Sequence, residues 1–167
     1  MALRKIVTVP NDVLRKKARP VTKFDDDLRT LVDDMVDTMR DAPGVGLAAP
    51  QIGILQRIIV VEYGDDEDVE APSKLYAVVN PEITRMSADK EMGVEGCLSI
   101  PGVVGDVERS VSIVVKGQNK HGQNVKYKLS GWVARIFQHE VDHLEGVLFT
   151  DLAESVWKPE PDYVDNV

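Results

Sequence analysis

The stretch Gln138-His139-Glu140-Val141-Asp142-His143 places two histidines four residues apart. On a helix with 3.6 residues per turn both imidazoles point the same way, so a single metal ion can bind both of them. The sequence therefore predicts a metal-bearing helix. It should begin after Ser130, a suitable N-cap, and end near Gly146, a residue that favours helix termination.

A third metal ligand is available upstream, because the only cysteine of the chain is Cys97. A Cys-His-His set leaves a fourth position open for water, as in catalytic metal sites. A closed structural zinc site needs four Cys and His ligands, and the chain has one cysteine and three histidines. The third histidine, His121, lies in a predicted turn over residues 119–123, away from such a site.

The size and charge of the chain restrict its class. Its 167 residues suggest one domain, in which residues 154–167 form a loosely ordered acidic tail broken by prolines. A net charge of −8 argues against direct nucleic-acid readout, although the first twenty residues hold six basic side chains against one acid. No apolar run reaches the roughly 18 residues of a membrane span, so no membrane partner is expected. A lone cysteine and no evident signal or transit peptide predict a bacterial-type protein of the reducing cytoplasm.

Periodicity predicts the other elements. Apolar residues recur at spacings of three and four between Leu28 and Met39, which predicts an amphipathic helix over residues 25–41. Residues 44–53 are so rich in glycine and small side chains that no regular element is expected there. Branched and aromatic residues predict strands at 57–63, 76–80, 111–116 and 125–129.

A zinc peptidase is the main alternative, because His-Glu-x-x-His also occurs in metalloproteases. One group of these enzymes has a third histidine six residues after the second, where this chain has Phe149. Another group takes a glutamate from a later helix. The candidate glutamates here point away from the histidine face or lie in or near the acidic tail: Glu145, Glu154 and Glu160. Cys97 therefore remains the strongest candidate for the third ligand.

Over nearly its whole length the chain resembles the peptide deformylase family. Three motifs of that family occur in the same order: Gly-x-Gly-x-Ala-Ala-x-Gln at 44–51, Glu-Gly-Cys-x-Ser at 95–99 and Gln-His-Glu-x-Asp-His at 138–143. The resemblance implies an α+β fold, with small mixed or antiparallel sheets packed around a central metal-bearing helix. It also implies a hydrolase that removes the N-formyl group from the formyl-methionine of newly made polypeptides and releases formate.

The resemblance assigns the metal site as well. Cys97, His139 and His143 would hold one divalent ion per chain, iron(II) by resemblance, whereas zinc, nickel or cobalt can substitute in such a donor set. Glu140 lies one residue from one ligand and three from the other. Its carboxylate is therefore expected beside the open position, where it can take a proton from water and pass it to the leaving amine.

Other motif residues are expected to contact the substrate. The Gln51 side-chain amide and the Leu98 backbone N–H would donate hydrogen bonds to the oxyanion. Gly44 and Gly46 would let an extended peptide lie along their loop.

The methionine side chain needs a pocket, for which the candidates are Val45, Trp132 and Ile136, although core packing is an equally good interpretation of Trp132. Glu95 and Asp142 would orient metal ligands or loop backbone.

Three further interpretations follow from the resemblance to the family. A non-catalytic peptide-binding relative would have lost Glu140 or Gln51, and both are present. Some relatives attach to the ribosome through a basic C-terminal helix, which the acidic tail lacks. A transient ribosome contact would then depend on the basic N-terminal segment. Val104 occupies a position where some relatives contact the substrate with an aromatic or basic side chain.

Overall fold

The computed structural model describes residues 2–64, 70 and 72–161 of the chain. Its helices are α1 (Asp26–Asp41), α2 (Trp132–Leu144) and α3 (Phe149–Leu152). Its strands are β1 (Gly46–Ala48), β2 (Ile58–Tyr63), β3 (Lys74–Met86), β4 (Lys90–Cys97), β5 (Ile100–Ser110), β6 (Ser112–Gln118), β7 (Asn124–Ser130) and β8 (Val156–Trp157). Short 3₁₀ turns occur at Asp12–Arg15 and Ala49–Ile52. In this part of the chain no helix is both long and apolar enough to cross a membrane.

Two antiparallel sheets surround α2. The larger sheet has the order β1-β2-β3-β6-β7 and the smaller has the order β4-β5-β8. Apolar residues of α2, among them Ile136 and Phe137, pack against Ile59, Val78 and Val115 of the larger sheet, and all of these side chains are buried. The predicted α+β fold around a central metal-bearing helix is therefore confirmed.

Helix α1 agrees with its prediction. The Asp25 carboxylate caps it by accepting a hydrogen bond from the Leu28 amide at 3.0 Å. Met35 and Met39 are fully buried in a second apolar cluster, between α1 and strands β1 and β2. Their periodicity reflects this packing, which is why the sequence alone located the helix.

The predicted start of α2 was wrong by one residue. Ser130 is the last residue of β7, opposite Ser112, so it does not cap the helix. The chain turns into α2 at Gly131, whose φ of 70° strongly favours glycine. The helix ends at Leu144, and Gly146 follows with φ of 75°. A Cβ there would lie 2.5 Å from the Arg15 carbonyl oxygen, so a side chain is excluded as well.

The segment 44–53 contains regular structure, contrary to the prediction. Gly46–Ala48 forms β1, which pairs with β2, and Ala49–Ile52 forms a 3₁₀ turn. Leu47 and Ala48 are fully buried. Small side chains there allow close packing between α1 and α2, and pairing with β2 supplies the strand hydrogen bonds that local propensity does not predict.

Strands β2, β3, β6 and β7 contain or overlap their predicted ranges, and β3 extends to Met86. The sequence did not predict β4 and β5, which form a long hairpin closed by the pairing of Cys97 with Ile100. Their glycines and charged residues weaken the strand pattern. The hairpin positions Cys97 at its turn.

The expected loose tail begins with structure. Val156 and Trp157 form β8, which pairs with Gly105 and Val104 of β5. Val104 is only 1% exposed. Residues 162–167, the rest of that tail, lie outside the described residues.

Candidate metal centre

Three possible metal ligands meet between the β4–β5 hairpin and α2. Cys97 lies at the hairpin turn, and His139 and His143 lie one turn apart on the helix. One donor atom from each lies within 4.8 Å of the other two. The Cys97 Sγ is 3.4 Å from the His143 Nε2. All three side chains are buried, with at most 2% of their surface exposed.

This donor set fits a divalent ion. Tetrahedral bonds of about 2.3 Å to sulfur and 2.0 Å to nitrogen place the two donor atoms about 3.5 Å apart, close to the observed separation. Burial, with the positive neighbours His139 and Arg109, lowers the pKa of His143 well below its usual value, and the neutral imidazole is the form that binds metal. Burial also lowers the pKa of His139, but hydrogen bonds to Cys97 and Glu95 raise it well above the usual value. The anionic neighbours of His139 therefore stabilise positive charge beside this ring, which a bound cation would supply.

Glu95 anchors the first histidine. Its carboxylate is fully buried and accepts a hydrogen bond from His139 Nδ1 at 2.9 Å, which leaves Nε2 of the ring available as a ligand. Arg109 binds both Glu95 oxygens, through Nε and Nη2, at 2.9 Å each. Burial raises the pKa of Glu95, but the hydrogen bonds from Arg109 and His139 outweigh burial and hold it well below the usual range. The carboxylate is therefore ionised and fixed.

Asp142 supports the site indirectly, through its contact with Arg109. Its Oδ2 accepts a hydrogen bond from Arg109 Nη1 at 2.5 Å. Burial raises the pKa of Asp142, and the opposing effect of Arg109 is smaller. Asp142 thus orients Arg109, which in turn holds Glu95.

Glu140 follows His139 on α2 and has one buried oxygen without a hydrogen-bond partner. Its side chain is 1% exposed, and its Oε1 has no hydrogen-bond partner among the described residues. Burial raises the pKa of Glu140 to about 7. A Cβ on Gly46 would collide with Glu140 Oε2 and lie 2.9 Å from its Cδ, so this glycine of β1 makes room for the carboxylate.

Gln51 is held with its amide nitrogen towards the ligands. Its Oε1 accepts a hydrogen bond from the Ala48 amide at 2.9 Å, which fixes the amide plane. Its Nε2 donates to Ser99 Oγ at 3.1 Å and approaches Cys97 Sγ at 3.5 Å. The Leu98 amide belongs to the same hairpin turn, between Cys97 and Ser99.

The candidate pocket residues occupy one cluster. Ile136 is fully buried, and the half-buried Val45 and Trp132 pack against the cluster that contains it. Gly44 lies near Leu98, since a Cβ on it would come within 2.8 Å of Leu98 Cδ1. The remaining histidine, His121, is exposed in a turn where its amide donates to Asn119 Oδ1.

Three buried residues of the site were missed by sequence reasoning: Ser99, Arg109 and Arg135. Ser99 lies within the Glu-Gly-Cys-x-Ser motif and could have been singled out there. Arg109 lies opposite Glu91 in the β4–β5 hairpin, so its place near the site is fixed only once the two strands have paired. Arg135 belongs to none of the three sequence motifs.

Comparisons with known proteins agree with this geometry. The sequence profile of the polypeptide deformylase family matches residues 3–158. The peptide deformylase of Desulforudis audaxviator is 47% identical, and the match covers 95% of this chain and 98% of that protein.

Two solved structures are also similar. The crystal structure of peptide deformylase from Thermotoga maritima superposes with a TM-score of 0.83 at 45% identity, covering 92% of this chain and 99% of that one. A Met-Ala-Ser-bound class I type b peptide deformylase from Acinetobacter baumannii gives 0.83 at 38% identity, covering 90% and 98%. The chain therefore belongs to the polypeptide deformylase family, whose metal-dependent enzymes remove the N-formyl group from newly made polypeptides, and it is an enzyme of this class.

Proposed function

We propose that this enzyme releases formate from N-formyl-methionyl peptides with Glu140 as the proton carrier and with an ion held by Cys97, His139 and His143. The unpartnered, buried oxygen of Glu140, on the same helix as His139 and His143, carries the proposal. Burial of a carboxylate oxygen without a partner is costly, so such an atom is typically retained for chemistry.

When bound by these three residues, the ion would act as a Lewis acid and would lower the pKa of a water molecule. Glu140 takes a proton from the attacking water and returns it to the amine as the carbon–nitrogen bond breaks, which yields formate and a free N-terminus. The Gln51 amide and the Leu98 N–H donate hydrogen bonds to the oxygen that gains negative charge. The longer of the two Gln51 Nε2 contacts, the one to Cys97 Sγ, is the one that a substrate oxygen can replace.

The peptide is proposed to lie along β1. Among the described residues this strand pairs with β2 alone, at the edge of the larger sheet, so an extended chain can pair with its other side near Gly44 and Gly46. Val45, Trp132 and Ile136 then line the methionine pocket. The relative solved with Met-Ala-Ser supports this type of ligand.

Iron(II) is the proposed ion. A thiolate with two imidazoles accepts iron(II), zinc, nickel or cobalt, and the family resemblance favours iron. Oxygen would damage such a site, because both iron(II) and its thiolate ligand can be oxidised.

The proposed location is the cytoplasm, and the proposed partner during translation is the ribosome, in transient contact. The free thiol of Cys97 suits a reducing compartment. Lys16, Lys17 and Arg19 of the basic N-terminal segment are exposed and could contact anionic ribosomal surfaces. Co-sedimentation with ribosomes at low salt, compared with a Lys16→Glu/Lys17→Glu variant, tests this contact. Equal recovery of both proteins would contradict it.

Metal analysis and a formate assay together test the function. Protein purified without oxygen should carry about one ion per chain and release formate from a formyl-methionyl peptide. An acetyl-methionyl peptide and an unformylated peptide are the controls, since cleavage of the latter would indicate a peptidase. A fully loaded protein that releases no formate would contradict the deformylase assignment of these residues.

A further inference from the structure

Arg135 has a buried guanidinium that hydrogen-bonds to other residues of the protein. It lies on α2 one turn before His139, and its side chain is 5% exposed. Its Nη1 donates to Glu95 Oε2 at 2.7 Å and to the Val107 carbonyl at 2.8 Å. Its Nη2 donates to the Glu91 carbonyl at 2.7 Å. One guanidinium thus joins α2 to both strands of the hairpin that carries Cys97.

The contact with Glu95 connects Arg135 to the ligands. Helix α2 contacts both oxygens of this carboxylate, Oε1 through His139 and Oε2 through Arg135. Arg109 binds the same two oxygens from β5. The carboxylate is therefore held from two sides. Removal of Arg135 would leave Oε2 with one hydrogen bond instead of two and would remove the link from α2 to that oxygen, so the carboxylate and the His139 ring bonded to it would be held less firmly.

Gly93 on β4 provides the space that Arg135 occupies. A Cβ at Gly93 would lie 2.7 Å from the Arg135 Cζ and 2.8 Å from its Nε. The backbone of Gly93 does not need glycine for conformational reasons, since its φ lies outside the left-handed region. The Trp132 ring lies 5.2 Å from the Arg135 Cζ, within cation–π range. The guanidinium therefore has a defined place against β4.

We propose that Arg135 is a positioning residue for the metal site, acting through Glu95 on His139, and that Gly93 is required to admit it. The inference depends on the proposed ligand set. By fixing the orientation of the His139 imidazole, Arg135 would slow the release of the bound ion. An imidazole that is already oriented loses less conformational freedom when it binds the ion.

The test measures how fast cobalt(II) or zinc leaves the loaded protein in excess chelator, for Arg135→Met, Gly93→Ala and the double variant. Each single variant should release the ion roughly 10- to 100-fold faster than the wild type. The double variant should be no faster than Arg135→Met alone, because the added methyl group no longer meets a guanidinium. Arg135→Lys, which keeps the charge but lacks the fork of donors, should fall between Arg135→Met and the wild type.

Arg40→Met is the matched control. It removes another two-point arginine–carboxylate pair, Arg40 with Glu62 at 2.9 and 2.7 Å, which is exposed and has no described hydrogen bond to Cys97, His139, His143 or Glu95. Its release rate should equal that of the wild type. The absorption spectrum of bound cobalt(II) should change in Arg135→Met but not in Arg40→Met.

A purely structural role for Arg135 would give a different pattern. Urea unfolding of the metal-free variants would then show lower stability while the release rate and the cobalt spectrum stayed unchanged, and this result would overturn the proposal. Additive effects of the two substitutions would overturn the part assigned to Gly93. A wild type that binds no ion would overturn the ligand set itself, and metal analysis of the wild type detects that failure before any variant is compared.

Discussion

Glu140→Gln should lower kcat by roughly 10²- to 10⁴-fold while the protein keeps its full complement of metal. The amide has the shape of the carboxylate and fits the space beside Gly46, but it has no basic oxygen that can take a proton from water. Because proton transfer occurs in the transition state, KM for a formyl-methionyl peptide should change little. Steady-state formate release and metal analysis of the same preparation measure both effects.

Glu145→Gln is the control for that substitution. Glu145 follows α2 and is exposed, and its only described ion pair is with Arg57 at 3.3 Å. Its neutralisation changes the charge of the same helix end, yet kcat should stay within about twofold of the wild type. A Glu140→Gln enzyme that also stayed within about twofold would show that another group moves the proton.

The metal-bearing helix was predictable because its signal is local. Helical geometry alone places His139 and His143 on one face of α2. Apolar residues of the same helix pack it against the larger sheet. Cys97 could be reached by elimination among the few metal-binding residues of the chain. The same locality explains why α1 agreed with its prediction, since Met35 and Met39 repeat at the spacing of its buried face.

Only part of the support around the ligands could be predicted, because three separate elements build it. The family resemblance gave Glu95 of β4 its supporting role, but Arg109 of β5 and Arg135 of α2 are charged residues that sequence patterns place on a surface. Burial is tolerated because each donor and acceptor is paired: Glu95 accepts four hydrogen bonds. The failure to predict β4 and β5 has the same origin, since the hairpin buries an ion-pair network where a strand pattern expects branched apolar residues.

Gly46→Ala should lower kcat by about 100-fold, because misplacement of a catalytic group by about 1 Å has effects of this size. The added methyl group would collide with Glu140 Oε2 and lie 2.9 Å from Ile136 Cγ2. The Glu140 carboxylate must then move, whereas none of the three atoms nearest the new methyl group belongs to a ligand of the ion. Metal content should be unchanged, and the free energy of unfolding should fall by about 1–3 kcal/mol, as for overpacking elsewhere.

Two variants, Gly44→Ala and the double variant Gly46→Ala/Glu140→Gln, distinguish displacement of the Glu140 carboxylate from a general effect of a stiffer loop. The one atom that a Cβ at Gly44 would crowd among its three nearest is Leu98 Cδ1, at 2.8 Å, the end of a flexible side chain, so the loss of kcat should be much smaller. In the Glu140→Gln background, Gly46→Ala should cause little further loss, because the group it displaces no longer transfers a proton. Equal losses in the presence and absence of the Glu140 carboxylate would instead place the role of Gly46 in binding the peptide along β1.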